Sequence, residues 1–217
     1  MPRPILIKLG GSLIQQESGE VLRQLGNIIS RYGQRHPVLI VPGGGPFADL
    51  VREYGKQLDL SEETCHFMAL GAMDQYAFIL QERIPGSKVT VLPAARYSRP
   101  AVRGISAGSQ ILICSHCLGQ VPASDLARSW NTTSDSIAAY LARRLNCSML
   151  VLVKSKDIEP TLQEPDVDLF FRQLLPLAMP AWFLNGSDPE RLRVLLETGQ
   201  TRGVFLPPGS RWAQAQL

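Results

Sequence analysis

The chain alternates short, unbroken apolar runs with longer stretches in which apolar residues return every third or fourth position. The runs are "PILIKL", "PVLIVP", "KVTVLP", "QILICS", "SMLVLV" and "AWFL", with a last one at "GVFL". Continuous hydrophobicity, as opposed to alternation, predicts strands covered on both faces. Between the runs, Leu22, Leu25, Ile29 and Tyr32 predict one helix, Phe47, Leu50, Tyr54 and Leu58 a second, and Ile137, Leu141 and Leu145 a third. The longest helical pattern extends from about Glu62 to Arg83, with Leu70, Met73, Ala77, Leu80 and Ile84 three or four apart. Met and aromatic residues on more than one of its faces suit a helix packed between subunits, so a homodimer contact is expected there. In "SDPERLRVLL", Asp188 reads as a cap and Pro189 as a first-turn residue whose missing N–H costs nothing. Strands that alternate with helices imply an α/β fold with a mainly parallel sheet, and ligands in such sheets bind at the carboxyl ends of the strands. "AARYSRPAVRGISAGS" and "SKDIEPTLQEPDVD" read as long loops.

Composition narrows the classes. The 217 residues suffice for one well-buried core, and a single domain over 1–217 is expected. A formal charge of +3, with Lys and Arg scattered along the chain, argues against nucleic acid and leaves room for a small anionic ligand. No stretch reaches the roughly eighteen apolar residues of a membrane span, and the apolar run in "MPRPILIKLGGS" is too short for a signal peptide, so a cytoplasmic location is expected. Cys114 and Cys117 in "CSHC" flank His116 with no second ligand pair elsewhere; they read as thiols at a strand end, and no metal ligand is assigned.

The candidate chemistry lies where apolar runs meet glycines. In "IKLGGS", Lys8 stands at the end of a buried strand, and Gly10, Gly11 and Ser12 follow, offering backbone N–H groups to an anion. "VLIVPGGGPFADLV" repeats the arrangement, with Gly43, Gly44 and Gly45 leading into a helix N-terminus. Neither loop matches the dinucleotide fingerprint or the P-loop. In "SWNTTSDSIAAYLARRL", Thr133 or Ser134 can cap a helix, and Asp135 is either a first-turn carboxylate favoured by the dipole or the group that holds nearby ammonium groups. Lys154 and Lys156 end the run "SMLVLVKSK"; opposite Lys8, two lysines would clamp a phosphoryl group.

Taken in order, "IKLGGS", "PGGGPFADLV", "TSDSIAAYLA" and "LVLVKSKDI" resemble the amino acid kinase superfamily, and "HFMALGAMDQY" with "SWNTTSDSIAAYLA" looks most like its small kinases of methanofuran biosynthesis. The resemblance implies a three-layer αβα sandwich and ATP-dependent transfer to a small phosphorylated acceptor, with ATP and Mg2+ as the cofactors. It assigns Lys8, Asp135 and Lys154 to catalysis. Gly10, Gly11, Ser12, Lys154, Lys156 and Asp157 would hold the nucleotide; Gly43, Gly44, Gly45, Asn131 and Ser134 would hold the acceptor. Arg96, Arg99 and Arg103 are further cations for an acceptor that is itself a phosphate ester. The chain departs from the family at "SKDIEP", which keeps Asp157 but has Pro160 where a glycine is usual. Two other readings stay open: a kinase for another small acid or a nucleoside monophosphate, and a non-catalytic protein that keeps the anion pocket for binding or assembly.

Overall fold

A computed structural model describes residues 2–92, 106–158, 167–168 and 170–209. Its strands are β1 (Ile5–Leu9), β2 (Pro37–Pro42), β3 (Lys88–Thr90), β4 (Gly108–Leu112), β5 (Met149–Lys154), β6 (Ala181–Asn185) and β7 (Val204–Leu206). Its helices are α1 (Glu20–Gly33), α2 (Gly45–Gln57), α3 (Glu62–Arg83), α4 (Cys114–Leu118), α5 (Ser134–Arg144), α6 (Phe171–Leu174) and α7 (Glu190–Thr198), and a kinked 3-10 segment spans Gly11–Gly19. All seven apolar runs are strands of one sheet in the order β3-β4-β2-β1-β5-β6-β7, parallel except for β7, which runs antiparallel to β6. The fold is therefore α/β as expected.

The pleat of the central strands sorts their side chains into two cores. Leu6 of β1 and Leu150 and Leu152 of β5 pack under α5, while Ile5, Ile7 and Leu9 of β1 and Val151 and Val153 of β5 pack against α1 and α7. Because side chains two residues apart share a face, Lys8 and Lys154 follow Leu6 and Leu152 onto the α5 side. β1 and β5 are neighbours in register, with Leu9 opposite Val153. Both lysines thus emerge at adjacent strand ends, beneath the same helix.

α3 has the predicted span. Ser61 caps it by accepting from Thr64 N at 3.2 Å, and Leu70, Met73, Ala77, Leu80 and Ile84 are all buried. Its Asp74 accepts Cys114 N at 2.6 Å and so caps α4 from outside. α2 forms where expected, but three of its four periodic residues face out: Leu50, Tyr54 and Leu58 are 52%, 49% and 61% exposed, while Phe47 is half-buried and Ala48 and Val51 pack against α3. Periodicity located that helix without identifying its buried side, since the small residues are what let α3 approach. α7 begins at Glu190, one turn-residue beyond the expected start, and Asp188 receives Arg191 Nε at 3.1 Å instead of capping the backbone with its side chain.

Candidate active site

Two glycine loops and one carboxylate organise the carboxyl end of the sheet. The first loop leaves β1 with Gly10 N donating to Val153 O at 2.8 Å; the second leaves β2 with Gly43 N donating to Leu9 O at 2.9 Å. The loops then touch backbone to backbone. A Cβ on Gly11 would stand 2.0 Å from Gly45 N, and Gly45 has φ +55, so neither position accepts a side chain without moving the other loop. Tyr76, buried in α3, donates its hydroxyl to Gly10 O at 3.4 Å and holds the first loop from below; burial pushes its phenol up, so it stays protonated.

Asp135, in the first turn of α5, bridges the two lysines. Lys8 Nζ lies 2.8 Å from Oδ1 and Lys154 Nζ 2.5 Å from Oδ2, with Lys8 and Asp135 almost fully buried. Burial works against the charged carboxylate, but Lys8 and Lys154 outweigh it and hold Asp135 below the usual carboxylate range. Burial, reinforced by Lys154, draws Lys8 below the usual lysine range against the pull of Asp135. The result is a cluster of two cations and one anion at the point where both loops meet.

The N-terminus of α5 is fixed from two sides. Thr133 is its cap, accepting from Asp135 N at 3.3 Å. Asp168, far along the chain, accepts from Thr133 N at 2.9 Å and Thr133 Oγ1 at 2.6 Å, from Ser136 N at 3.2 Å and from the Ser136 hydroxyl. It also accepts from Phe170 N and Phe171 N, so one carboxylate caps α6 while it sits favourably at the positive end of α5. Sequence spacing gave no sign of this role, because the contact spans more than thirty residues.

On the β5–β6 side, Ser12 Oγ donates to Ser155 Oγ at 2.9 Å, and Gln16 Nε2 donates to Ser155 O and Ser187 Oγ, both at 2.8 Å. Lys156 is exposed at this edge. Asp157 is bound to the Arg191 guanidinium and to Asn185 Nδ2 at 3.0 Å, and these two partners hold its carboxyl below the usual range. On the β2 side lies a cavity of about 240 Å³, bounded by Gly11, Ser12, Gly44, Gly45 and Ser134, with Arg52, His66, Trp130 and Thr132 further along its wall. The Arg52 guanidinium stacks 5.1 Å from the centre of the Trp130 ring and pairs with Asp49 at 2.6 Å.

The structure therefore brings Lys8, Asp135 and Lys154 together and places the glycine loops beside them. Ser134 reaches the cavity, whereas Gly43 supports the loop from behind and Asn131 is exposed outside the cavity wall. Arg52, Trp130, Thr132 and Asp168 are additions that sequence reasoning did not single out, and His66, for which it found no role, joins them. Arg96, Arg99 and Arg103 lie outside the described residues. Among the described residues no group of three or more His, Cys, Asp or Glu side chains could hold a metal ion.

Comparison with known proteins follows the same lines. Residues 3–158 match the model of the amino acid kinase family. Over 215 residues, covering 88% of this chain and 92% of the relative, it is 28% identical to [5-(aminomethyl)furan-3-yl]methyl phosphate kinase of Methanocaldococcus jannaschii. It is 27% identical to uridylate kinase of the same organism, over 70% of this chain and 63% of that protein. Among solved structures, uridylate kinase from Archaeoglobus fulgidus superposes with a TM-score of 0.68 at 19% identity, over 93% of this chain and 98% of that one. UMP kinase from Ureaplasma parvum superposes at 0.66 and 15%, over 93% and 97%.

Proposed function

The chain belongs to the amino acid kinase family, and from that premise we propose that it transfers the γ-phosphoryl group of MgATP to the phosphate of a small monoester, giving a diphosphate. The acceptor is [5-(aminomethyl)furan-3-yl]methyl phosphate or a close analogue, in the making of a methanofuran-type one-carbon carrier. The observation that carries the reading is the Lys8–Asp135–Lys154 cluster at the junction of two glycine loops.

ATP takes the β5–β6 side, over Gly10, Gly11, Ser12, Lys154, Lys156 and Asp157, and the acceptor takes the cavity beside Gly44, Gly45 and Ser134. At about 240 Å³ that cavity is below the ~300–1,000 Å³ of pockets for drug-sized ligands, so it suits the acceptor rather than the nucleotide. Asp135 aims both ammonium groups at the gap between the two substrates. Lys8 and Lys154 then offset the charge that spreads over the equatorial oxygens during in-line transfer, and the loop amides hold the flanking phosphates without reorganising. The described residues offer no carboxylate cage for magnesium, and the two oxygens of Asp135 are already engaged by lysines. Magnesium is therefore treated as part of the MgATP substrate, and no residue is assigned to it.

The test is ADP release from MgATP with [5-(aminomethyl)furan-3-yl]methyl phosphate, with UMP, and with a small carboxylic acid, each against an acceptor-free control. Preferential turnover of the furan ester is expected. Preference for UMP would replace the acceptor assignment, a reading favoured by the likeness to uridylate kinases. Absence of turnover with all three would leave a non-catalytic anion-binding role.

A second copy of the chain packs against α3 in this proposal. The outward side of that helix carries Phe67, Met68 and Phe78, the last 58% exposed, around Gly71, where a Cβ would meet nothing. Light scattering should give twice the chain mass for the native protein and the single chain mass for Phe78→Asp.

A further inference from the structure

The far wall of the acceptor cavity carries polar groups that phosphoryl transfer does not use. His66, in the first turns of α3, is 5% exposed, and among the described residues its imidazole makes no hydrogen bond; its only ring contact is edge-on to Phe67. The hydroxyl of Thr132 is buried without a hydrogen-bond partner. Both residues line the cavity. A buried hydroxyl left without a partner calls for an explanation, and beside the polar ring of His66 a ligand in the cavity supplies one.

The charges around His66 are already spoken for. Arg128 pairs with Glu63 at 2.5 Å and Arg52 with Asp49 at 2.6 Å. Burial, helped by Arg128 and opposed by Glu63, lowers the imidazole pKa, so the ring is neutral at pH 7 and presents one donor and one acceptor. Leu70, Met73, Ile137 and the Trp130 indole give the cavity apolar sides. The glycine loops and Ser134 line the same cavity, so a molecule with its phosphate on the loops has its remaining atoms within walls that include His66 and Thr132.

We propose that His66 and Thr132 are the acceptor-specificity residues of this site, binding an N–H group carried at the end of a small ring opposite the phosphate. The inference rests on the acceptor reading above. Two kinds of acceptor share this chemistry: a ring bearing an aminomethyl group, and a pyrimidine nucleotide with a ring N–H. Neutral imidazole accepts a hydrogen bond from either. A site built to hydrogen-bond such a group rejects an analogue lacking it far more strongly than a merely apolar pocket can.

The experiment measures steady-state kinetics of the full chain with MgATP and two matched pairs of acceptors. One pair is the aminomethylfuran phosphate and the analogue with methyl in place of aminomethyl; the other is UMP and N3-methyl-UMP. For the pair that turns over, the native protein should prefer the N–H compound by at least about 100-fold in kcat/KM. His66→Phe, which keeps an aromatic ring but removes both nitrogens, should raise the acceptor KM at least about tenfold, collapse the preference below about tenfold, and leave the ATP KM unchanged. His66→Gln, with both a donor and an acceptor, should recover part of the preference. Thr132→Val, nearly isosteric, serves as the second variant if His66→Phe fails to fold, and should lower the preference several-fold. A preference that survives His66→Phe with a normal ATP KM, or survives Thr132→Val, overturns the inference. Turnover of UMP in place of the furan ester would overturn the acceptor reading alone, and the UMP pair then decides the role of His66. No turnover with either pair overturns both.

Discussion

Asp135 holds two ammonium groups that burial would otherwise discharge or drive apart. Replacing it by Ala removes the carboxylate that lies between Lys8 and Lys154; breaking a buried pair in this way costs about 3–5 kcal/mol. A fall in melting temperature of several degrees together with loss of phosphoryl transfer is expected. The pH dependence of that loss has a definite sign. The Asp135 pKa is depressed, so its stabilisation is complete at neutral pH and disappears as acid carries the solution down through that depressed value. The gap in melting temperature between the native protein and Asp135→Asn should therefore be wide at pH 7 and close in acid. Lys8 behaves in the opposite sense: its lowered pKa means that its charge is lost as pH rises, before an ordinary lysine would titrate. The kcat profile should bend downward on the alkaline side below the ordinary lysine range, and Lys8→Arg, which stays charged, should remove that bend from whatever activity it retains.

The two glycine loops behave as one element because they are in backbone contact. Gly11→Ala puts a Cβ 2.0 Å from the Gly45 amide nitrogen, where backbone must shift, and both substrates should bind at least tenfold more weakly by calorimetry. This element was legible in sequence: glycines at the ends of two unbroken apolar runs, with Lys8 in phase with Leu6, can be read from a period of two. The lysine pair was legible for the same reason, since Lys154 is in phase with Leu150 and Leu152. The buried side of α2 was not, because Leu50, Tyr54 and Leu58 have the spacing of a core stripe, and which side of a helix is covered depends on its neighbour. Asp168 was missed, and His66 left without a role, on related grounds. An acidic residue in a proline-bearing loop and a histidine on a long helix acquire roles only through groups that the fold brings to them.

On the scale of the whole molecule, the proposed reading divides the work at β1: nucleotide on the β5 and β6 side, acceptor on the β2 side. MgATP should therefore stabilise the fold through the β5 half alone, with no acceptor present. At about 100 times its dissociation constant a ligand contributes ~2.7 kcal/mol, which for a chain of this size raises the melting temperature by about 5–10 °C. That rise should be seen with the native protein and be largely absent in Lys8→Ala. The pairing of β1 has a further consequence for how the molecule is made. β1 meets β2 after one helix, but Ile5 meets Met149 only after about 140 more residues have been joined, and at about 5–20 residues per second a ribosome needs on the order of 10–30 seconds to supply them. Until then the edge of β1 that will meet β5 stays unpaired in the nascent chain, beside strands β2 and β4 as they are added. In the proposed reading the phosphate site is completed only when more than two thirds of the message has been read, and a chain released early would be an open edge rather than a weak enzyme.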